Sequence, residues 1–285
     1  MLENLHSSTP FGVVHTVQLP RMVEAPYAIE QLMLRPFGIN KRDLEVDFNQ
    51  PFRPALVTDI LECCATVING MSPDRNLLWA LTVGTRIEWL LRIIGMGAFN
   101  AALPMRCFNE QCGETVEVEL TLDELLAIQS EPLDLITVDC GGQFLQLRKP
   151  SGLDQREWAT QEFPNERAAV SAMVQALVVG EESRAESELP AIDDEWLLAI
   201  DRLMQDEDAL VNFSLKVICP CCENTMNVEI DLQTLAIERL HQSQQRLLGT
   251  VHQLAKHYHW SEQEIFAVPA WRRLHYLKVL KKELG

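Results

Sequence analysis

Cysteines are the residues of this sequence with the clearest capacity for chemistry. The chain holds eight of them, and they cluster instead of spreading like a disulfide framework. Two pairs stand out, Cys107 with Cys112 and Cys219 with Cys222. In a chain that starts without the basic and apolar pattern of a secretory signal, clustered pairs favour metal ligands or buried thiols and a reducing compartment.

The two cysteine pairs belong to a repeated unit. At an offset of 110 residues, Cys112 aligns with Cys222, and the match continues through Thr115 with Thr225, Val118 with Val228, Glu119 with Glu229 and Leu122 with Leu232. Each copy reads as a cysteine pair, a tight turn and an alternating strand, and a helix follows. Such a repeat predicts a zinc ribbon that is split by an insertion over residues 124–215.

Four thiolates bind Zn²⁺ well, because the ion has no geometric preference of its own and favours sulfur. With all four ligands supplied by cysteine no position remains for water, so we expect a structural and not a catalytic ion. Two alternatives stay open from the residues alone. Cys221 could replace Cys219 or Cys222 as a ligand, or the hairpins could be reduced and metal-free.

The remaining chemical candidates are weaker. We interpret Cys63, Cys64 and Cys140 as small buried side chains. The histidines of HQLAKHYHW lack the helical spacing of a metal pair. The sequence carries no phosphate-binding loop, nucleophile elbow or catalytic histidine pattern that we recognise. A protein without enzymatic activity is therefore expected.

Periodicity predicts an α+β fold that is mostly helical, with small β-hairpins and long C-terminal helices. We divide the chain into three parts, an extended docking segment over 1–53, a body with the zinc ribbon over 54–235, and a helical interaction segment over 236–285. One short helix is predicted around Ile29–Leu34. Arg86 and Arg92 should be solvated or paired on a helix with an aliphatic stripe.

Charge is unevenly distributed along the chain. The net charge is −17, and residues 154–210 carry 15 acidic and 4 basic side chains, whereas residues 236–285 carry 8 basic and 4 acidic ones. An acidic body is a poor phosphate binder, so nucleic acid is not an expected partner. It would suit docking onto a basic protein surface, and a simply solvated acidic face is the alternative. No apolar run is long enough to span a membrane.

Three stretches carry a family resemblance. They are the helix with Val83-Gly84-Thr85-Arg86 and Leu90-Leu91, the segment LQLRKPSGLDQREW, and the cysteine knuckle followed by a long helix and VHQLAKHYHWSEQEIFAVPAWRRLHYL. In that order, over roughly residues 55–280, they resemble the T-even-type baseplate family of contractile phage tails and the related extracellular contractile injection systems. The chain departs from the regular Cys-Pro-x-Cys-Gly knuckle through its wider Cys107–Cys112 loop and through Glu223 in place of glycine.

The resemblance implies a non-enzymatic baseplate or tail-assembly component that works by recognition. Its partners would be other baseplate or tail proteins in an oligomeric assembly, in the bacterial cytoplasm during assembly or in the finished virion or phage-like particle. The C-terminal contact residues would be Trp260, Ile265, Phe266, Trp271, Arg272, Arg273 and Tyr276. These side chains could instead pack within a helical hairpin of the chain itself. The rival functions are an assembly chaperone absent from the mature particle, a zinc-ribbon module of a nucleic-acid machine, and an enzyme with an unrecognised site.

Overall fold

The predicted α+β class is confirmed by a computed structural model of the chain. The structure describes residues 16–17, 32–96, 100–128, 135–179 and 192–284. Most of the predicted N-terminal segment and the acidic stretch 180–191 lie outside these residues. Within them the strands form one three-stranded sheet and three separate two-stranded hairpins.

Ten α-helices are present in the described part of the chain. They are α1 (Arg53–Cys64), α2 (Arg75–Ala80), α3 (Val83–Gly95), α4 (Leu122–Ala127), α5 (Gly152–Trp158), α6 (Glu166–Leu177), α7 (Asp194–Glu207), α8 (Leu232–Tyr258), α9 (Glu262–Ala267) and α10 (Ala270–Leu284), and a 3₁₀ helix covers Lys41–Leu44. The strands are β1 (Thr16–Val17), β2 (Leu32–Leu34), β3 (Ala65–Ile68), β4 (Asn100–Arg106), β5 (Thr115–Thr121), β6 (Leu135–Cys140), β7 (Gln143–Arg148), β8 (Ser214–Ile218) and β9 (Thr225–Glu229). None of the described helices is long and apolar enough to cross a membrane.

The central core is formed by α1, α3 and the first half of α8, joined by the small β1–β2–β3 sheet. Trp89 is a fully buried member of this core. Leu235 and Leu240 also lie in this core, so the boundary drawn at residue 235 falls inside a continuous helix. Removing the apolar faces of these elements from water is the main favourable contribution to this packing.

The short helix predicted around Ile29–Leu34 is wrong over its described part, where Leu32–Leu34 is a strand between β1 and β3. Leu32 and Leu34 are buried on either side of the half-buried Met33. This alternation of period two is typical of a strand, and three residues are too few to distinguish it from a helical pattern in the sequence. Phe37 and Val46 continue into the central core, so residues 32–53 belong to the packed body.

Arg86 is the largest departure from expectation in this region. Its side chain is only 1% exposed and donates hydrogen bonds to the Pro54 carbonyl and the Thr58 hydroxyl. It also stacks on the Trp79 ring, at 5.0 Å from the centroid. Burial lowers the pKa of Arg86 to about 10. Arg92, in contrast, pairs with Glu88 one helical turn away, as expected for a paired surface arginine.

A second, smaller core lies within the predicted insertion. The β6–β7 hairpin turns at Gly141-Gly142, with positive φ at both glycines. Its inward residues pack against α6 and α7 around Val138, Leu147 and Trp196. The insertion therefore has packed structure of its own between the two cysteine hairpins.

Candidate metal centre

Two antiparallel hairpins present the cysteines. In the first hairpin β4 pairs with β5 from Asn100↔Thr121 to Arg106↔Thr115, and in the second β8 pairs with β9 from Ser214↔Glu229 to Ile218↔Thr225. The first cysteine of each pair comes directly after the incoming strand. Its backbone N–H donates across the turn, from Cys107 to the Glu114 carbonyl at 2.8 Å and from Cys219 to the Asn224 carbonyl at 2.9 Å.

The turns close through a left-handed residue after the second cysteine. That residue is Gly113 in the first hairpin, with φ +59°, and Glu223 in the second, with φ +56°. The two positions are equivalent in the repeat, at the offset of 110 residues found in the sequence. Glycine adopts this conformation without steric cost, whereas an L-residue with a Cβ does not. The hairpin backbone therefore holds the second cysteine in place even where glycine is missing.

An apolar layer joins the two hairpins. Met105 and Val217, at equivalent places on the incoming strands, are buried together with Met226. The backbone N–H of Phe108 lies 3.2 Å from the Met226 sulfur. This packing brings together two turns that are more than a hundred residues apart in the chain.

The four sulfur atoms form a compact group. Every pair of ligand atoms among Cys107, Cys112, Cys219 and Cys222 lies within 4.8 Å. The Cys107 and Cys222 sulfurs are 3.6 Å apart, and those of Cys112 and Cys219 are 3.8 Å apart. A tetrahedron with metal–sulfur bonds of about 2.3 Å has edges of about 3.8 Å. Both cross-hairpin distances therefore match a tetrahedral ion of this size.

The turns also supply electrostatic support for thiolates. Backbone N–H groups of Cys222 and Cys221 donate to the Cys219 sulfur and lower the pKa of that thiol to about 7. For Cys112, a backbone hydrogen bond from Glu114 lowers the pKa, but burial and the neighbouring thiols outweigh it and raise the value to about 12. One member of the group thus ionises readily while a second resists, because negative charges at this spacing repel. A divalent cation would remove that conflict.

The structure brings together the four cysteines that the sequence predicts as ligands. Cys221 lies outside this group and is exposed, unlike its neighbour Cys222, which belongs to the group. Cys64 is fully buried, as expected, whereas Cys63 and Cys140 are only partly so. Among the described residues no other group of cysteine, histidine or carboxylate side chains forms a candidate metal site.

The predicted contact residues of the C-terminal segment fall into three environments. Ile265 and Arg273 are buried within the chain, where Ile265 packs with Leu254 and Leu280 between α8 and α10. Trp260 and Tyr276 are half-buried, and Trp260 stacks on Tyr258 whereas Tyr276 meets Tyr258 edge-on. The Phe266 ring centroid lies 4.8 Å from the Arg273 guanidinium. Trp271 and Arg272 remain exposed. The helices therefore fold back on α8, and only part of the set can face a partner.

One surface feature has no local signal in the sequence. A cavity of about 710 Å³ lies between α7 and the second hairpin. Its walls carry the carboxylates of Asp201, Asp206, Glu229 and Asp231. The general acidity of residues 154–210 is the only related pattern in the sequence. No local pattern predicts that α7 packs beside the second hairpin, which begins at β8.

Comparisons with known proteins add no relative. The chain matches no protein-family model, no curated protein and no solved structure.

Proposed function

We propose that Cys107, Cys112, Cys219 and Cys222 hold one structural Zn²⁺ ion. The observation that supports this most directly is the pair of sulfur–sulfur distances, 3.6 and 3.8 Å, across the two hairpins. Four thiolates complete the coordination of zinc, so such an ion would have no position for substrate or water. Its contribution would be to stabilise the fold by joining two hairpins that are remote in the sequence.

Adjacent cysteines offer a matched test of this site. Cys222→Ser removes a member of the sulfur group, whereas Cys221→Ser changes an exposed neighbour of the same type. Elemental mass spectrometry of untagged, freshly reduced protein should give about one zinc per chain for the unmodified protein and for Cys221→Ser. Cys222→Ser should bind little zinc. No zinc in the unmodified protein, or equal zinc in both variants, would contradict the proposed ligand set.

We further propose that the protein is a non-enzymatic structural or assembly component of a contractile phage tail or phage-like injection-system baseplate. The family resemblance of residues 55–280 supports this role, and the helical hairpin at the C-terminus offers a rigid surface for a partner. The observation that carries the recognition part is the exposure of Trp271, which is 47% exposed on a helix whose other face is buried. Tryptophan and arginine are frequent anchors of protein interfaces.

The role is tested in cells that produce such tails. Deleting the gene should abolish sheathed tails in electron micrographs, and restoring it should rescue them. Mass spectrometry of purified particles should then find the chain in a fixed ratio to other tail proteins. A chain that is required but absent from particles would instead be an assembly chaperone, a role that its acidic body also suits. Normal tails without the gene would contradict both roles.

A further inference from the structure

The outward side of α10 is basic and apolar at once. At 3.6 residues per turn, one side of the helix carries the α10 face, which we define as Trp271, Leu274, His275, Lys278, Lys281 and Lys282. The opposite side packs against α8 and α9 through Leu280 and its neighbours. Trp271 and Leu274 are 47% and 42% exposed. A tryptophan beside lysines, with no carboxylate in the set, is suited to an acidic partner that also has apolar surface.

The same chain carries a surface of complementary chemistry. We define the acidic groove as the cavity between α7 and the second hairpin, with carboxylates of Asp201, Asp206, Glu229 and Asp231 on its walls. None of the described residues that line it is basic. Asp231 is already engaged by Arg53. Val211, Ile230 and the buried Phe213 also line the groove and supply its apolar part.

A chain cannot fill its own groove with its own α10. Asp231 caps the first turn of α8, whereas Leu280 of α10 packs against Leu254 near the end of α8. At 1.5 Å per residue, Asp231 and Leu254 are about 35 Å apart along the helix axis. Nearer its start, α10 is held by the hydrogen bond from Arg273 to the Ile39 carbonyl, beside Gly38, which lies against Ser243 in the middle of α8. The helix is thus fixed along the middle and second half of α8, away from its first turn, and its outward face is free to dock in the groove of a second copy.

We propose that the α10 face of one copy docks in the acidic groove of a second copy. The lysines would face Asp201, Asp206 and Glu229, the carboxylates that Arg53 does not engage, and Trp271 would cover the apolar part of the groove. Because the two surfaces differ, the contact is heterologous. A dimer leaves one groove and one α10 face unused, so further copies add head to tail. This association requires neither the metal nor the role in a tail, so its failure would leave both of those proposals intact.

The size of the contact sets the expected strength. One face of a helix of 15 residues buries less surface than a standard stable interface, so we expect micromolar association that salt weakens. Sedimentation velocity from about 1 to about 200 µM should show growth from monomer to dimer and longer species at about 0.05 M salt. At about 0.5 M salt the dissociation constant should rise by roughly tenfold or more. A monomer over the whole range at low salt would overturn the proposal.

A mixing experiment distinguishes the heterologous contact from others. One variant, Lys278→Glu with Lys282→Glu, loses the α10 face but keeps the groove. The other, Asp201→Lys with Asp206→Lys, loses the groove but keeps the α10 face. Each should be monomeric alone, and an equimolar mixture should form a heterodimer that does not grow further. Self-association of the groove variant alone, as a contact between two α10 helices would give, would overturn the proposal.

Matched charge reversals control for net charge and folding. Glu117→Lys with Glu119→Lys changes two exposed carboxylates on β5, away from the groove, and should associate as the unmodified protein does. Lys256→Glu serves the same purpose on α8, where Lys256 is exposed. Equal zinc content and melting temperature in all variants would show that they fold alike. Loss of association in these controls would mean that overall charge, and not the groove, governs it.

Discussion

The two cysteine hairpins share one backbone architecture but differ in loop length and in the residue at the left-handed position. Both place the first cysteine after a strand and close the turn with a left-handed residue after the second cysteine. The loop between the cysteines holds four residues in the first hairpin and two in the second. The left-handed residue is Gly113 in the first hairpin and Glu223 in the second. The shared part is therefore the backbone geometry around the second ligand. Loop length and side chain vary without displacing the sulfurs.

The strongest test of this equivalence removes one ligand from each hairpin. Cys107→Ser and Cys219→Ser should lose zinc alike, because the proposed ion takes two sulfurs from each hairpin. We expect each variant to lose at least about 4 kcal/mol in the free energy of unfolding, a size associated with the loss of a structural metal. Chemical denaturation with zinc analysis measures both effects. Cys140→Ser, outside the group, is the control. Zinc retained by either ligand variant would show that the two hairpins do not contribute equally to metal binding.

A smaller effect tests the left-handed residue of the first hairpin. Gly113→Ala should reduce the free energy of unfolding by about 1 kcal/mol, because alanine is disfavoured at φ +59°. The added Cβ would come no closer than 3.4 Å to another side chain, a terminal nitrogen of Arg106, so backbone conformation alone causes the loss. Denaturant unfolding of the zinc-loaded protein measures it. An unchanged stability would mean that the turn relaxes to another conformation.

The smallest expected effect has the opposite sign and lies in the second hairpin. Glu223→Gly removes a side chain that resists φ +56°, but it also makes the unfolded chain more flexible. The net result should be a gain of about 0.5 kcal/mol in the free energy of unfolding. The same measurement with Glu223→Ala, which keeps a Cβ, should show no comparable gain. A loss in Glu223→Gly would indicate that the glutamate makes a stabilising contribution of its own.

The sequence predicts the four-cysteine cluster well because its signals are local. The cysteine spacing, the alternation of Val116, Val118 and Leu120, and the repeat with Thr225 and Val228 are all read within short windows. The capping box of Ser261 and Glu264 at the start of α9 is an equally local signal, since it depends on residues three apart. Long-range packing leaves no such local trace. The pairing of the two hairpins could therefore be predicted only from the repeat.

The failures come from tertiary context. Arg86 occupies a helical position that is typical of a surface arginine, yet carbonyl and hydroxyl acceptors from α1 and the Trp79 ring compensate its burial. The amphipathic pattern of α10 does not distinguish apolar residues that pack on α8 from those that are exposed. In the structure Leu280 packs on α8, whereas Trp271 is exposed. The acidic groove is formed by elements that become neighbours only on folding.

The separation of the ligands has a consequence for the order of events during synthesis. Cys112 and Cys219 are 107 positions apart, so at roughly 5–20 residues per second the first hairpin waits about 5–20 s for the second to be made. During that time its two thiols would lack the other two ligands of the proposed ion. On that proposal the first hairpin needs a reducing environment until translation passes Cys222, and a chain that stops earlier has only two of the four ligands.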